Sequence, residues 1–237
     1  MNSDNNFKIA GNFRVNDWKE LRDTLSTVDV QNTEGWDKAF NMFKVRVETR
    51  FLNPINEISR MYPDGGRGEG FSVVALQCIL IEFFEAFYHG KIYKNKNPNR
   101  NNHQYNNSYD DIISKFLNSH LPFSKFFCSH GTNPDDTCEK ISTYTFYNNF
   151  RCGLLHEAAT KGKAVIRTEK KDEEGKSLDP HHEELIWKNP SNGQIILYRT
   201  PFQKALENYI QDYKRKLMTS LEQREAFCRK MNELCQL

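Results

Sequence analysis

The amino-acid sequence predicts a mainly α-helical fold: a helical bundle with a small β-hairpin or sheet inserted before a long C-terminal helix. Three observations carry that expectation. Apolar residues recur at spacings of three and four, as in Trp36, Phe40, Phe43, Val47 and Phe51, which places them on one helical face. The stretch FSVVALQCILIEFFEAFYHG, Phe71 to Gly90, is apolar nearly all round, the pattern of a central helix buried on most sides. Only between residues 163 and 200 does the pattern become short runs rich in β-branched and aromatic residues, KAVIRTE, EELIWK and QIILYRT. At 237 residues the chain is long enough for one sizeable core, so 1–237 is expected to form a single domain with 163–200 as a β-excursion.

The elements follow in order. NDWKELRDTL makes a short first helix with an Asn or Asp cap. The Trp36–Phe51 face belongs to a longer helix that Pro54 kinks or divides. PDGGRGEG breaks the chain before the buried helix. Residues 91–107, Asn-rich and basic, read as a surface loop. A short helix over SYDDIISKFLNSHL comes next. PDDTCEKISTYTFYNNFRCGLLHEAATKG is helical again, with Gly162 placed to cap its C-terminus. NPSNG joins the last two strand-like runs as a hairpin. Thr200 and Pro201 start the final helix, whose face of Phe202, Leu206, Tyr209, Tyr213, Leu217 and Leu221 is expected to extend nearly to Leu237.

Composition narrows the function classes. A formal net charge of +2 gives no molecule-wide attraction to nucleic acid, so such a partner would have to be held by a local patch. Six cysteines include no CxxC pair, and the N-terminal residues contain no apolar run, which points to reduced thiols and a cytoplasmic protein. Gln77, Glu82 and Glu85 interrupt the apolar helix, so a membrane span is not expected.

The candidate site is FRCGLLHEAATKG, Phe150 to Gly162. With each residue of an ideal helix turning roughly 100°, Phe146, Phe150 and Leu154 form an apolar stripe, and Arg151 and His156 lie roughly 140° apart. They bracket a face that is small or polar apart from Leu155 and that would admit the same helix of a second subunit about a two-fold axis. The pair suits phosphodiester cleavage. A guanidinium binds phosphate oxygens bidentately and stabilises developing charge. An imidazole takes a proton from a ribose 2′-hydroxyl or gives one to the leaving oxygen. Neither role needs a metal or a cofactor, and none is expected.

RCGLLH, Arg151 to His156, on a late helix of a small bundle, resembles the Arg-x4–6-His motif of the HEPN superfamily. The resemblance implies a metal-independent endoribonuclease that works as a homodimer on RNA in a toxin-type or antiviral defence role, held in check by an antitoxin or other defence partner. It also implies that Arg151 and His156 are catalytic. A polar residue commonly follows the arginine in that family, and here Cys152, a poor hydrogen-bond donor, stands there. The alternative is therefore a catalytically weak or inactive HEPN-like module that binds RNA or a protein. A scaffold whose C-terminal helix pairs with a partner is a third reading.

Lys161, Lys163 and Arg167 follow the motif and, with Arg67 of the glycine-rich DGGRGEGFS loop, are the candidate RNA-binding cations. Lys91, Lys94, Lys96 and Arg100, with Tyr93 and Tyr105, form a second basic cluster of the kind that holds single-stranded RNA, although a solvated loop accounts for it. Glu82 or Glu85 is expected to pair with an interior arginine or tyrosine. Cys128, His130 and Cys138 match no standard zinc spacing. His181 and His182 read as exposed loop polarity.

Overall fold

A computed structural model describes residues 6–25, 33–63, 66, 68–106, 112–129, 139–168, 174 and 179–237. The fold is mainly helical with a few small sheets. The chain divides into two compact units. One comprises residues 1–54, 83–108 and 210–237, the other 55–82 and 109–209.

In the first unit, strands β1 (Lys8–Ala10) and β2 (Phe13–Arg14) form an antiparallel hairpin that leads into helix α1 (Val15–Thr24). The helix begins one residue ahead of the expected Asn or Asp cap. Asp17 instead sits at the third helical position, where its carboxylate accepts the Arg14 backbone N–H at 2.6 Å. Helix α2 (Thr33–Val47) passes into a π-helical segment, Glu48–Leu52, and on into α3 (Asn53–Met61). Pro54 neither ends the helix nor divides it. The ring removes one backbone donor, and the wider turn lies immediately before it.

Phe43 is the hub of this unit. Its ring stacks on Phe83 at 5.8 Å, meets Phe87 edge-on at 4.9 Å and lies 5.1 Å from Tyr213. Phe227 takes Trp18 and Trp36 edge-on. Aromatic side chains buried this fully contribute about 1.5–3 kcal/mol each before the cost of ordering them. Phe83 and Phe87 lie on helix α4 (Glu69–Tyr88), the apolar helix seen in the sequence. Among the described residues it is one helix long and apolar enough to cross a membrane, with 56% of its most apolar window buried in the fold.

Two expectations fail in this unit. Residues 91–107 are not an unstructured loop throughout: β3 (Ile92–Tyr93) and β4 (Gln104–Tyr105) pair in parallel, with Tyr93 edge-on to Tyr105 at 5.6 Å. Nor does one helix run to the C-terminus. Helix α8 (Arg199–Thr219) stops, and Ser220 caps α9 (Leu221–Leu234), its hydroxyl accepting the Gln223 N–H at 3.3 Å. Arg224 then donates to the carbonyls of Leu217 and Met218, which the break leaves without helical partners.

In the second unit Phe116 of α5 (Ile113–Ser119) packs against Phe123 and lies edge-on to Tyr209 at 4.9 Å, while Phe202 joins Phe123 to Phe146. Strands β5 (Phe127–Cys128) and β6 (Ile141–Ser142) pair in parallel. Ser142 then caps α6 (Thr143–Phe146), accepting the Tyr144 N–H at 3.2 Å. A second π-helical segment, Tyr147–Cys152, and α7 (Gly153–Glu157) complete that helix. Its C-terminal left-handed residue is Ala158, at φ 51°, and not Gly162. Gly162 takes its own positive φ in the turn into the sheet.

The β-excursion is present as three strands. In β7 (Ala164–Arg167), β8 (Ile186–Lys188) and β9 (Ile195–Tyr198), the spatial order is β7–β9–β8. β8 and β9 form the expected hairpin, with Trp187 opposite Ile196, and β7 joins β9 in parallel. Pro201 sits in the first turn of α8, where its missing N–H leaves no helical bond unmade.

Candidate functional site

The helix carrying Arg151 and His156 lies in the second unit, and its π-helical segment decides how the two residues are displayed. Phe150 and Leu154 are buried, as the apolar stripe requires. On an ideal α-helix Arg151 lies at the edge of the polar sector. The wider turn over Tyr147–Cys152 changes that phase, and Arg151 is 8% exposed.

Its guanidinium is held firmly. Nε donates to Glu82 Oε1 at 2.8 Å, and the guanidinium carbon lies 5.4 Å from the centre of the Tyr147 ring. Burial works against the charge on Arg151, but the Glu82 carboxylate outweighs it, and the pKa moves above its usual value. Burial also raises the pKa of the Cys78 thiol, with Glu82 adding to the effect, and burial does the same to the Tyr147 phenol. The thiol and the phenol are therefore neutral at physiological pH, so they add no further charge around Arg151. Among the described residues, the two terminal nitrogens of Arg151 have no hydrogen-bond partner. The outer edge of the fork remains able to take two oxygens of a phosphate.

His156 is exposed in the last turn of α7 and has no hydrogen-bond or ion-pair partner among the described residues. Glu157 points away from the core and pairs with Lys161 at 2.6 Å. Just beyond, the chain folds back over the helix. The Ala159 N–H bonds to the Gly153 carbonyl at 3.3 Å and the Lys161 N–H to the Asn149 carbonyl at 2.9 Å. Gly153 permits this crossing, because a Cβ there would stand 2.4 Å from the Ala159 carbonyl oxygen. The structure thus brings Arg151 and His156 onto one helix without joining them directly. One is the buried half of an ion pair, the other faces solvent.

The candidate RNA-binding cations fare differently. Lys161 is engaged by Glu157, and Lys163 Nζ donates to the Asn192 carbonyl at 2.8 Å. Arg167 is half-exposed and touches Asp179 only at 3.5 Å. Arg67 lies outside the described residues, as do His130 and Cys138 of the zinc grouping. Among the described residues no three His, Cys, Asp or Glu side chains are grouped as metal ligands would be. Glu85, buried, pairs with His89 at 3.1 Å. The expectation for Glu82 is met: it holds an interior arginine, Arg151.

A feature missed in the sequence is a cleft of about 1070 Å³ in the same unit. Its walls are the start of α4 (Gly68 to Phe71), strand β7, Thr160, and the Asp179–His181 turn with Trp187 and Arg199. Glu69 and Arg199, both buried, form an ion pair at 3.1 Å across its floor. His181 is not simply exposed loop polarity: its ring stacks on Trp187, centroids 3.8 Å apart and planes 15° apart. The only hint in the sequence was a tryptophan six residues after a histidine on a predicted strand.

Comparison with known proteins adds no relative. No family model, curated protein or solved structure matches the chain.

Proposed function

We propose that the chain is a HEPN-like, metal-independent endoribonuclease that cleaves RNA as a homodimer, in a cytoplasmic toxin-type or defence role. One observation carries the reading. Glu82 grips Arg151 by Nε and, among the described residues, leaves its two terminal nitrogens without partners, on the same helix that presents His156 to solvent with none of its own. Arg151 binds the scissile phosphate and stabilises charge on its oxygens. His156 removes the 2′-hydroxyl proton, or donates a proton to the departing 5′-oxygen. Attack by the 2′-oxygen on phosphorus breaks the P–O5′ bond and leaves a 2′,3′-cyclic phosphate and a 5′-hydroxyl. Two copies about a two-fold axis supply a second histidine, so that one acts as base and the other as acid. Tyr144 and Leu155, both large and exposed on this helix, offer apolar area for that contact. A protein antitoxin or defence partner would restrain the activity.

A second reading has its own support. Glu82 neutralises Arg151, and Cys152 occupies the position where a better hydrogen-bond donor would serve, which favours a catalytically weak module that binds RNA or protein.

The test is cleavage of a labelled RNA panel in EDTA by wild type, His156→Ala and Arg151→Ala, each checked for folding. Cyclic-phosphate products from wild type, a loss of about 10²–10⁴-fold in rate for His156→Ala, and no cleavage of 2′-deoxy substrate are expected. Cleavage by both variants at the wild-type rate would remove this helix from the chemistry. Folded wild type that binds RNA without cutting it would favour the module.

A further inference from the structure

We propose that the cleft between the start of α4 and the three-stranded sheet is a nucleotide-binding site, taking a flat heteroaromatic base together with a phosphate. This goes beyond the nuclease reading and does not depend on it, since the cleft uses neither Arg151 nor His156.

The volume is sufficient for a drug-sized ligand, and the polar groups converge on it as they do in small-molecule sites. Phe71, Val165 and Ile166 supply apolar wall. Phe71 is among the large apolar side chains left exposed in this protein, at 38%. The half-buried Trp187 is already fixed in a parallel stack by His181, which leaves the pair stiff and able to extend the stack with another ring. His181 is itself anchored by Nδ1 to Glu184 Oε1 at 2.7 Å.

The donor count specifies what the ring carries. Trp187 Nε1–H has no partner among the described residues. Among the described residues Arg167 spends only one of its five N–H groups, on the long 3.5 Å contact with Asp179. Unused donors beside a stacking surface call for a ligand rich in oxygen and ring-nitrogen acceptors. Asp179 supplies the complementary acceptor. It is held in place by the Tyr198 hydroxyl at 2.9 Å and the His181 backbone N–H at 3.0 Å. An apolar slot with a rigid ring, a guanidinium and a carboxylate is a set that a base with its phosphate satisfies and a bare anion does not. Such a nucleotide arrives either free or as a residue of a single strand, and the two present the same groups to the cleft.

The test uses the whole protein. Trp18 and Trp36 are wholly buried, so ligand-induced quenching of tryptophan fluorescence reports on Trp187. Each of the four ribonucleoside monophosphates and a short single-stranded RNA are titrated in turn, with calorimetry in parallel. Inorganic phosphate and ribose 5-phosphate serve as controls. Saturable quenching by at least one nucleotide is expected, with a Kd of about 1 mM or tighter. Affinity should fall at least about tenfold in Arg167→Gln and in Trp187→Leu. His156→Ala should bind as wild type does, which separates this site from the nuclease reading. Quenching by monophosphates identifies a free nucleotide, and quenching by the strand alone a nucleotide within RNA. No saturable binding of any of these, equal binding by ribose 5-phosphate, or undiminished binding in a folded Arg167→Gln protein would each overturn the proposal.

Discussion

Arg151 shows how much one buried charge depends on a single neighbour. Among the described residues Glu82 is the only carboxylate bonded to it, so Glu82→Gln should leave a largely buried guanidinium without its counter-charge. The expected loss is about 1–3 kcal/mol in urea unfolding, below the figure for a fully buried pair because Glu82 is partly exposed. The Glu82→Gln, Arg151→Gln double variant should recover part of that loss, and simple additivity of the two single losses would show that the pair is not coupled. Asp179 offers a pH test. Burial pushes its carboxyl upward, but the His181 N–H, the Tyr198 hydroxyl and Arg167 together outweigh burial, so its pKa lies below the ordinary 3.8. A depressed folded pKa means stability that is present above the unfolded value and lost as pH falls through the folded one. The stability difference between wild type and Asp179→Asn should therefore hold at neutral pH and shrink as the pH drops below 3.8. A difference that grows on acidification would contradict this network.

At the scale of the element, the helix of Arg151 is shaped by what happens at its end. Gly153→Ala places a methyl 2.4 Å from the Ala159 carbonyl oxygen, so the returning chain must move. Overpacking of this kind costs about 1–3 kcal/mol, and amide exchange at Ala159 and Lys161 should speed up along with it. Ala158→Gly acts in the opposite sense. It relieves a left-handed residue of its Cβ at φ 51° and should stabilise the protein by about 1 kcal/mol in thermal unfolding. If Gly153→Ala were neutral, the fold-back would not be the feature that sets the helix end. The two π-helical segments belong to this scale as well. Neither could be read from the period of the apolar residues, because one wide turn moves a few side chains by a fraction of a turn while the stripe on either side keeps its spacing.

For the whole molecule, the prediction concerns assembly. The nuclease reading requires a pair of chains whose Arg151 helices face each other, so light scattering should find a dimer. Leu155→Glu, at an exposed position that contributes little to the fold of one chain, should weaken that dimer by at least about tenfold while leaving thermal stability of the monomer nearly unchanged. A wild-type protein that stays monomeric at all concentrations used in the cleavage assay would remove the two-fold site.

The sequence by itself determined the helical class, the buried α4, the β8–β9 hairpin and, to within one residue, the start of α8. Each of these follows from local periodicity, β-branched content or turn chemistry, which act over a few neighbouring residues. It also placed Arg151 and His156 on one helix and required an interior partner for Glu82 or Glu85. Only the tertiary structure decided that Glu82 holds Arg151 across 69 residues of chain, and that Arg151 is buried while His156 is exposed. Tertiary structure alone also broke the C-terminal helix at Ser220 and drew Phe71, Arg167, Asp179 and Trp187 around one cleft. The physical reason is the range of the forces involved. Caps, turns and stripes are written in adjacent residues, whereas a buried ion pair or a cleft is the outcome of which surfaces exclude water together.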